Sequence, residues 1–251
     1  MIRGIYTATS ALGLQEIKQN IWTNNLANID TPGFKKELLL VEAAEEKRLY
    51  RFSEVGGSGY LGEMPFGVQP QNETATDFTQ GRLESSGNPL DLAIEGDGFF
   101  VVDTPQGEAY TRAGNFTLSN EGVLITLGGY PVLGEGGEIA LPEGGQIVVD
   151  QTGRVSMAGM EVDRIRVVDF DDRSRLQRIG ENLFVSDQNT LPEESQNFRI
   201  RQGYLEKSNL DMIEGMVTMI EAFREYEMNQ RLLQTQDEAL DRAVNEIARL
   251  R

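Results

Sequence analysis

Forty carboxylates stand against 23 lysines and arginines, with no histidine and no cysteine, and this bounds the chemistry open to the 251-residue chain. Without imidazole or thiol there is no Ser-His or Cys-His nucleophile pair, no disulfide and no imidazole-ligated zinc. Carboxylate chemistry remains. Glu95 with Asp97, Asp171 with Asp172, and Glu193 with Glu194 could act as acid and base in glycoside hydrolysis. That requires two of them facing each other in a cleft, one with a raised pKa. So many acidic residues guarantee such neighbours by chance, and nothing in the sequence selects a pair. The turn Glu95-Gly96-Asp97-Gly98 could offer oxygens to calcium, yet it lacks the run of alternating donors that dedicated loops carry, and it reads as a hairpin turn. Gly57-Ser58-Gly59-Tyr60-Leu61-Gly62 has the GxGxxG spacing of a dinucleotide fingerprint. It fails in context, because Met64-Pro65-Phe66-Gly67 stands where a helix should open and no βαβ alternation surrounds it. The segment Gly56 to Gly67 reads as a loop instead, and no cofactor and no metal are expected.

The elements that would have to position any site are unevenly spread. Ile5, Ala8, Leu12, Gln15, Gln19, Trp22 and Leu26 recur in alternating steps of three and four, and residues 1 to about 29 read as a helix. Asp30-Thr31-Pro32-Gly33 ends it, since proline lacks the N–H the ladder needs. Near the other end, Met212, Met219, Tyr226, Leu233, Leu240 and Ile247 recur every seven residues, with Met216, Phe223, Gln230, Asp237 and Val244 in the second seam position. That 3.5-residue period is the one helices use to pack along their length. Ser208 is the expected cap of this helix, with Asp211 completing a variant capping box. Polar seam residues such as Gln15, Gln19, Gln230 and Asp237 lower stability and set register or partner.

Between the helices the pattern shortens. Leu38 to Val41 is a brief apolar run ahead of the charged stretch Glu42 to Arg51. From about Thr76 to Ser186 the strand candidates are Leu90 to Ile94, Phe99 to Val102, Tyr110 to Leu118, Val123 to Thr126, Tyr130 to Leu133, Gln146 to Val149 and Asp163 to Phe170. Their spacing points to an all-β sandwich or barrel-like module. The expected architecture is α+β: long N- and C-terminal helices packing as a coiled-coil-like unit, with a central β module. The boundaries expected are 1–30 (assembly helix), 31–75 (connecting segment), 76–190 (β domain), 191–209 (connecting segment) and 210–251 (assembly helix).

A net charge of −17 and the lack of a basic stripe argue against nucleic acid and against an anionic membrane surface. No stretch approaches the roughly 20 apolar residues of a membrane span. The N-terminus has no apolar core or cleavage site of a secretory signal, so no removable signal peptide is expected.

Four blocks carry a resemblance. Asn24-Asn25-Leu26-Ala27-Asn28-Ile29-Asp30-Thr31-Pro32-Gly33-Phe34-Lys35 resembles the N-terminal signature of the bacterial flagellar rod and hook axial proteins. Gln80-Gly81-Arg82-Leu83, through Ser86-Gly87-Asn88-Pro89-Leu90-Asp91-Leu92-Ala93-Ile94 to Gly98-Phe99-Phe100, is similar to the family's central motif. Tyr110-Thr111-Arg112-Ala113-Gly114-Asn115-Phe116 continues it. Gln202-Gly203-Tyr204-Leu205-Glu206-Lys207-Ser208-Asn209-Leu210, with Met216-Val217-Thr218-Met219-Ile220 and Tyr226-Glu227, matches its C-terminal end.

The resemblance implies a structural, non-enzymatic subunit of the rod, the drive shaft that crosses the cell envelope in the flagellar basal body. Its partners would be copies of itself, other rod and hook proteins and the flagellar export apparatus, with no small-molecule substrate. Export would leave no cleaved signal. The length and the single β module resemble the rod proteins more than the larger hook protein. Phe223-Arg224-Glu225-Tyr226-Glu227 and the tail to Arg251 favour a proximal-rod type, whereas Met1-Ile2-Arg3-Gly4 is closer to the distal type, and a distal-rod or hook-like axial protein is the alternative within the family. Ile5, Leu12, Trp22, Leu26, Met212, Met216, Met219, Phe223, Tyr226, Leu233 and Leu240 are the expected subunit interface. Asn24, Asn25 and Asn28 either satisfy backbone groups at the helix end or form a ladder between subunits. Two readings of other classes compete: a carboxylate-based cell-wall hydrolase with helical arms, and a binding module whose arms dock in cis.

Overall fold

In the computed structural model, residues 2–43, 46–53, 57–65, 68–142, 145–187 and 190–249 are described; Gly56, Phe66 and Gly67 of the expected loop lie outside them. The fold class is α+β, with one helix near each end and many antiparallel strands between. The chain divides into two compact units. One comprises Met1–Leu26, Glu37–Ala75 and Met212–Arg251; the other comprises Ala27–Lys36 and Thr76–Asp211.

The first unit holds both helices. Helix α1 spans Ile2–Ala27, and the chain then turns through bonds from Thr31 N to Asn28 O (3.1 Å) and from Phe34 N to Thr31 O (3.3 Å). Helix α2 spans Met212–Arg249, 38 residues, about 57 Å at 1.5 Å per residue. It starts four residues after the expected cap. The Ser208 hydroxyl instead accepts from Leu210 N (3.3 Å), closing a local turn ahead of the helix and leaving Asp211 at its threshold.

The expected loop at Gly56 to Gly67 is also corrected. Gly57–Pro65 is a strand paired antiparallel with Glu46–Ser53, in a register that sets Tyr50 opposite Tyr60 and Arg51 opposite Gly59. Cross-strand bonding to a β-prone partner outweighs the glycines' preference for turns. A second pair joins Glu37–Ala43 to Val68–Thr76.

The second unit is built on a six-stranded sheet in the order Leu176–Gly180, Leu183–Ser186, Gly107–Thr111, Phe99–Thr104, Val167–Asp169, Glu193–Glu194. All neighbours are antiparallel. The run Phe99-Phe100-Val101-Val102 is wholly apolar because both faces are covered. Phe100 and Val102 enter one core with Leu92, Ile94 and Ile200, while Phe99 and Val101 enter another with Phe170 and Phe184. Two expected strands are split. Tyr110 to Leu118 becomes Gly107–Thr111 and Thr117–Leu118, and Asp163 to Phe170 becomes Met160–Arg164 and Val167–Asp169. In the first case the chain leaves the ladder where Arg112 turns inward and the Gly114 carbonyl accepts from Leu92 N (2.9 Å).

The expected hairpin at Glu95–Gly98 is a corner between sheets. Leu92–Gly96 pairs with Phe198–Gln202, whereas Phe99–Thr104 lies in the central sheet. Residues 191–209 carry Glu193–Glu194, Phe198–Gln202 and Tyr204–Glu206, the last paired with Leu83–Ser85, and they belong to this unit.

Candidate assembly interface

Helix α2 sorts its side chains onto two faces. Ala222 is fully buried and Gly215 is buried, and the half-buried Met219, Tyr226, Leu233 and Leu240 follow at helical spacing. Glu225 on this side accepts a hydrogen bond from Gln15 of α1 and lies 3.9 Å from Lys18. Helix α1 contributes buried Ala8 and Ile21, with Leu12, Trp22 and Leu26 half-buried. Residues 8, 215 and 222, alanine or glycine, are the small residues on these buried faces. Toward the other side Met212, Met216, Val217, Ile220 and Phe223 are each about half exposed, and Ile213 is 75% exposed. A 100°-per-residue rotation brings these six together on one apolar stripe. From Met216 on, the two seam positions of the heptad thus separate: Met219, Tyr226, Leu233 and Leu240 face inward, and Met216 and Phe223 face solvent, while Met212 of the inward series lies on the open stripe. The Ile5 side chain lies outside the described residues.

The four motif blocks converge elsewhere, inside the second unit. Glu206 is 1% exposed and its carboxylate is the hub. Lys35 Nζ donates to Oε1 at 2.6 Å, Gly81 N donates to the same oxygen at 2.8 Å, and Arg112 Nη1 donates to Oε2 at 3.4 Å. The Glu206 backbone carbonyl accepts from Gly33 N at 2.7 Å. Lys35 also donates to Thr79 O (2.7 Å), and Arg112 Nη2 donates to Gly96 O (2.9 Å), its guanidinium lying 5.3 Å from the Phe99 ring. Burial lowers the pKa of both cations below their ordinary values, with Glu206 opposing the shift in each.

Two glycines make the approach possible. A Cβ on Gly33, where φ is +68°, would meet Ala113 N at 2.3 Å, and one on Gly81 would meet Lys207 O at 1.9 Å. Phe34 is buried under the Arg178 guanidinium, 4.5 Å from its ring centre, and Arg178 donates to Lys35 O.

Asn209 extends the network. Its Oδ1 accepts from Lys36 N (2.9 Å), and its Nδ2 donates to Asp77 O (2.8 Å) and Thr79 Oγ1 (3.0 Å). Lys36 closes on Asp77 at 3.3 Å, and Asp77 N donates to Lys36 O (2.9 Å). Asn25, in the first unit, exchanges two 2.9 Å bonds with the backbone of Glu37, donating to its carbonyl and accepting from its N–H. Asn28 Oδ1 accepts from Thr31 Oγ1 (3.2 Å), and Asn24 is exposed. Asn88 Nδ2 donates to Asp91 (3.0 Å), whose carbonyl accepts from Gly203 N (2.8 Å). Gly87 and Gly203 hold positive φ, Gly98 and Ser208 are buried, and Leu90 and Leu205 are half-buried.

The carboxylates proposed for hydrolysis are engaged by arginine or exposed, and Asp97, Asp171, Glu193 and Glu194 line one open pocket together with Asp169. Glu95 accepts from Arg201 (2.7 Å), which holds its pKa below the usual range, and Asp97 accepts from Arg173 (2.6 Å). Asp172 accepts from Ser174 N (3.1 Å) and lies 3.2 Å from Arg175. Asp171, Glu193 and Glu194 are exposed.

Asp77 and Arg178 are members of this site that the sequence does not point to, while Lys35 and Gly81 lie within quoted motif blocks without a role assigned to them. Lys35 stands inside the first motif block, but its partner is 171 residues away and only the fold reveals the pairing.

Family models agree with this layout. One described as flagella basal body rod protein matches residues 5–35; one for the flagellar hook protein FlgE/F/G D1 domain matches 93–157; one for the flagellar basal body rod FlgEFG protein C-terminal matches 201–246. A Bacillus subtilis (strain 168) chain named flagellar basal-body rod protein FlgG is 33% identical over 98% of this chain and 99% of its own length. A Caulobacter vibrioides chain named flagellar basal-body rod protein FlgF is 34% identical over 100% of both. A second B. subtilis chain, named flagellar hook-basal body complex protein FlhO, is 31% identical over 100% of both.

Proposed function

The chain belongs to the flagellar basal-body rod protein family and is a structural subunit of the rod, and we propose that it polymerises through its terminal helices into the torque-transmitting shaft. The observation that carries this reading is the uncovered apolar stripe of α2 from Met212 to Phe223. A six-residue apolar face at helical spacing is built to be covered, and other subunits of the same shaft are the occupants that the family supplies. Non-closing, head-to-tail contacts of this kind generate helical polymers rather than rings. Interface residues are then Met212, Met216 and Phe223 toward neighbours. Leu12, Trp22, Leu26, Met219, Tyr226, Leu233 and Leu240 belong to the seam between α1 and α2, packed in coiled-coil fashion, and Ile5 is retained as an interface residue on its sequence period alone.

The subunit acts without catalysis, passes through the flagellar export apparatus, and sits in the envelope-spanning rod among its own copies and other rod and hook proteins. Within the rod we assign the proximal type, on Phe223–Glu227, with a distal-rod or hook-like axial protein as the alternative. The arginine-bound state of Glu95 and Asp97 weighs against the hydrolase reading.

Electron microscopy of basal bodies from a strain lacking the gene, with motility scored alongside, tests the assignment. Non-motile cells with assembly halted within the rod are expected, and a rod stump rather than a full rod lacking its outermost part would support the proximal type. Intact rods and normal swimming would overturn the structural role.

A further inference from the structure

The polypeptide passes between its two compact units at four points, 26/27, 36/37, 75/76 and 211/212. On the side of the β-rich unit, three of these lie within three residues of Lys36, Asp77 or Asn209. The fourth opens the segment whose Gly33 and Lys35 bind Glu206. We propose that the Glu206 cluster and Asn209 form a single node that ties all four chain passages together, so that load entering the module is shared among them instead of peeling one strand at a time. The proposal rests on the rod assignment for its purpose but not for its existence.

The geometry separates the two layers of the node. Glu206 holds the inner layer, binding Lys35, Gly81 and Arg112 from three separate segments. Asn209 holds the outer layer, where one amide bonds Lys36 on the first outgoing strand and Asp77 on the returning one. Lys207, 3.7 Å from Asp30, adds a solvent-facing contact between the first and last passages. A hydrogen-bonded side chain that crosslinks two backbones transmits a pull on one to the other. Shearing a set of bonds together requires more force than opening them in turn, which is why a shared anchor matters under torque. Glu206 and Asn209 are positioning residues in this scheme.

Two measurements on the full-length chain test it. In native-state hydrogen exchange, Asn209→Ala should accelerate exchange together at 31–36, 77–82 and 207–210, by about tenfold or more, while Phe99–Thr104 stays protected, and Glu206→Gln should accelerate the same three segments by about tenfold or more beyond the acceleration its loss of global stability gives Phe99–Thr104. Acceleration confined to the substituted segment, or equal acceleration of the central sheet, would overturn the node. In cells, Asn209→Ala should assemble normal numbers of flagella and swim normally in thin medium, but lose speed disproportionately as viscosity rises. A speed–viscosity curve matching wild type would overturn the load-sharing role. If Glu206→Gln does not fold, Asn209→Ala decides both measurements. Failure of the rod assignment shows up separately, as intact rods in the deletion strain, and leaves the exchange result standing.

Discussion

A buried carboxylate holding two buried cations is a high-stakes arrangement. Removing one partner of such a group leaves the others desolvated and unpaired, which costs about 3–5 kcal/mol. Glu206→Ala should therefore lower the unfolding free energy of the β-rich unit, read from urea titration, by that order, whereas replacing Lys35, Arg112 and Glu206 together with apolar residues of similar volume should recover most of the loss. Equal losses in both variants would show that volume rather than charge governs the cluster. Lys35 adds a pH signature. Burial sets its folded pKa below 10.5, so between the two values the unfolded chain holds the proton that the folded unit has given up. Raising the pH through that window favours the folded state. The stability of wild type relative to Lys35→Met should thus increase from neutral pH toward pH 10.5; a constant difference would refute the buried, depressed ammonium. Asp77 behaves oppositely: burial alone would raise its pKa, but bonds from Thr79 and Lys36 outweigh it and hold it below 3.8. Its contribution is present above that pH and fades as acid protonates it.

For the elements, what was legible in the sequence follows how local each signal is. Both helices and most strands are readable because hydrophobic period and turn residues act over a few positions, as in α1 and in Phe99–Thr104. Gly57–Pro65 was misread because its pairing partner, not its composition, makes it a strand. The Glu95–Gly98 turn was recognised as a turn, yet only the sheet order shows that its flanking strands separate. The heptads of α2 gave the period correctly, while the direction each seam faces depends on Gly215 and Ala222, whose small size marks the close side. That division yields a contrast. Phe223→Asp lies on the open face and should change thermal stability by no more than about 0.5 kcal/mol while blocking incorporation into basal bodies. Leu26→Asp should block incorporation too. Ala222→Leu overfills the close side and should destabilise the helical unit by about 1–3 kcal/mol. Thermal melts of the purified chain, with basal-body fractionation, separate the two; if Phe223→Asp assembles normally, the open stripe is not the contact between subunits.

On the scale of the whole molecule, the two units are interleaved in sequence: the helical unit draws on three stretches and the β-rich unit on two. The strands Phe198–Gln202 and Tyr204–Glu206 pair with Leu92–Gly96 and Leu83–Ser85, more than 100 positions earlier. Contacts of such separation form slowly and late. A chain ending at residue 190 should therefore lack a cooperative unfolding transition, even though it holds five of the six central-sheet strands whole; a sharp melt from that fragment would contradict this. The same topology has a consequence for quality control. Synthesis delivers the N-terminus first, so Lys35 and Arg112 wait, charged and exposed, until Glu206 emerges. A message cut short or a stalled ribosome leaves a product with its core open and those two cations unanswered. Completion is thereby written into the fold itself: an intact polypeptide buries these groups, and a truncated one leaves them open to solvent.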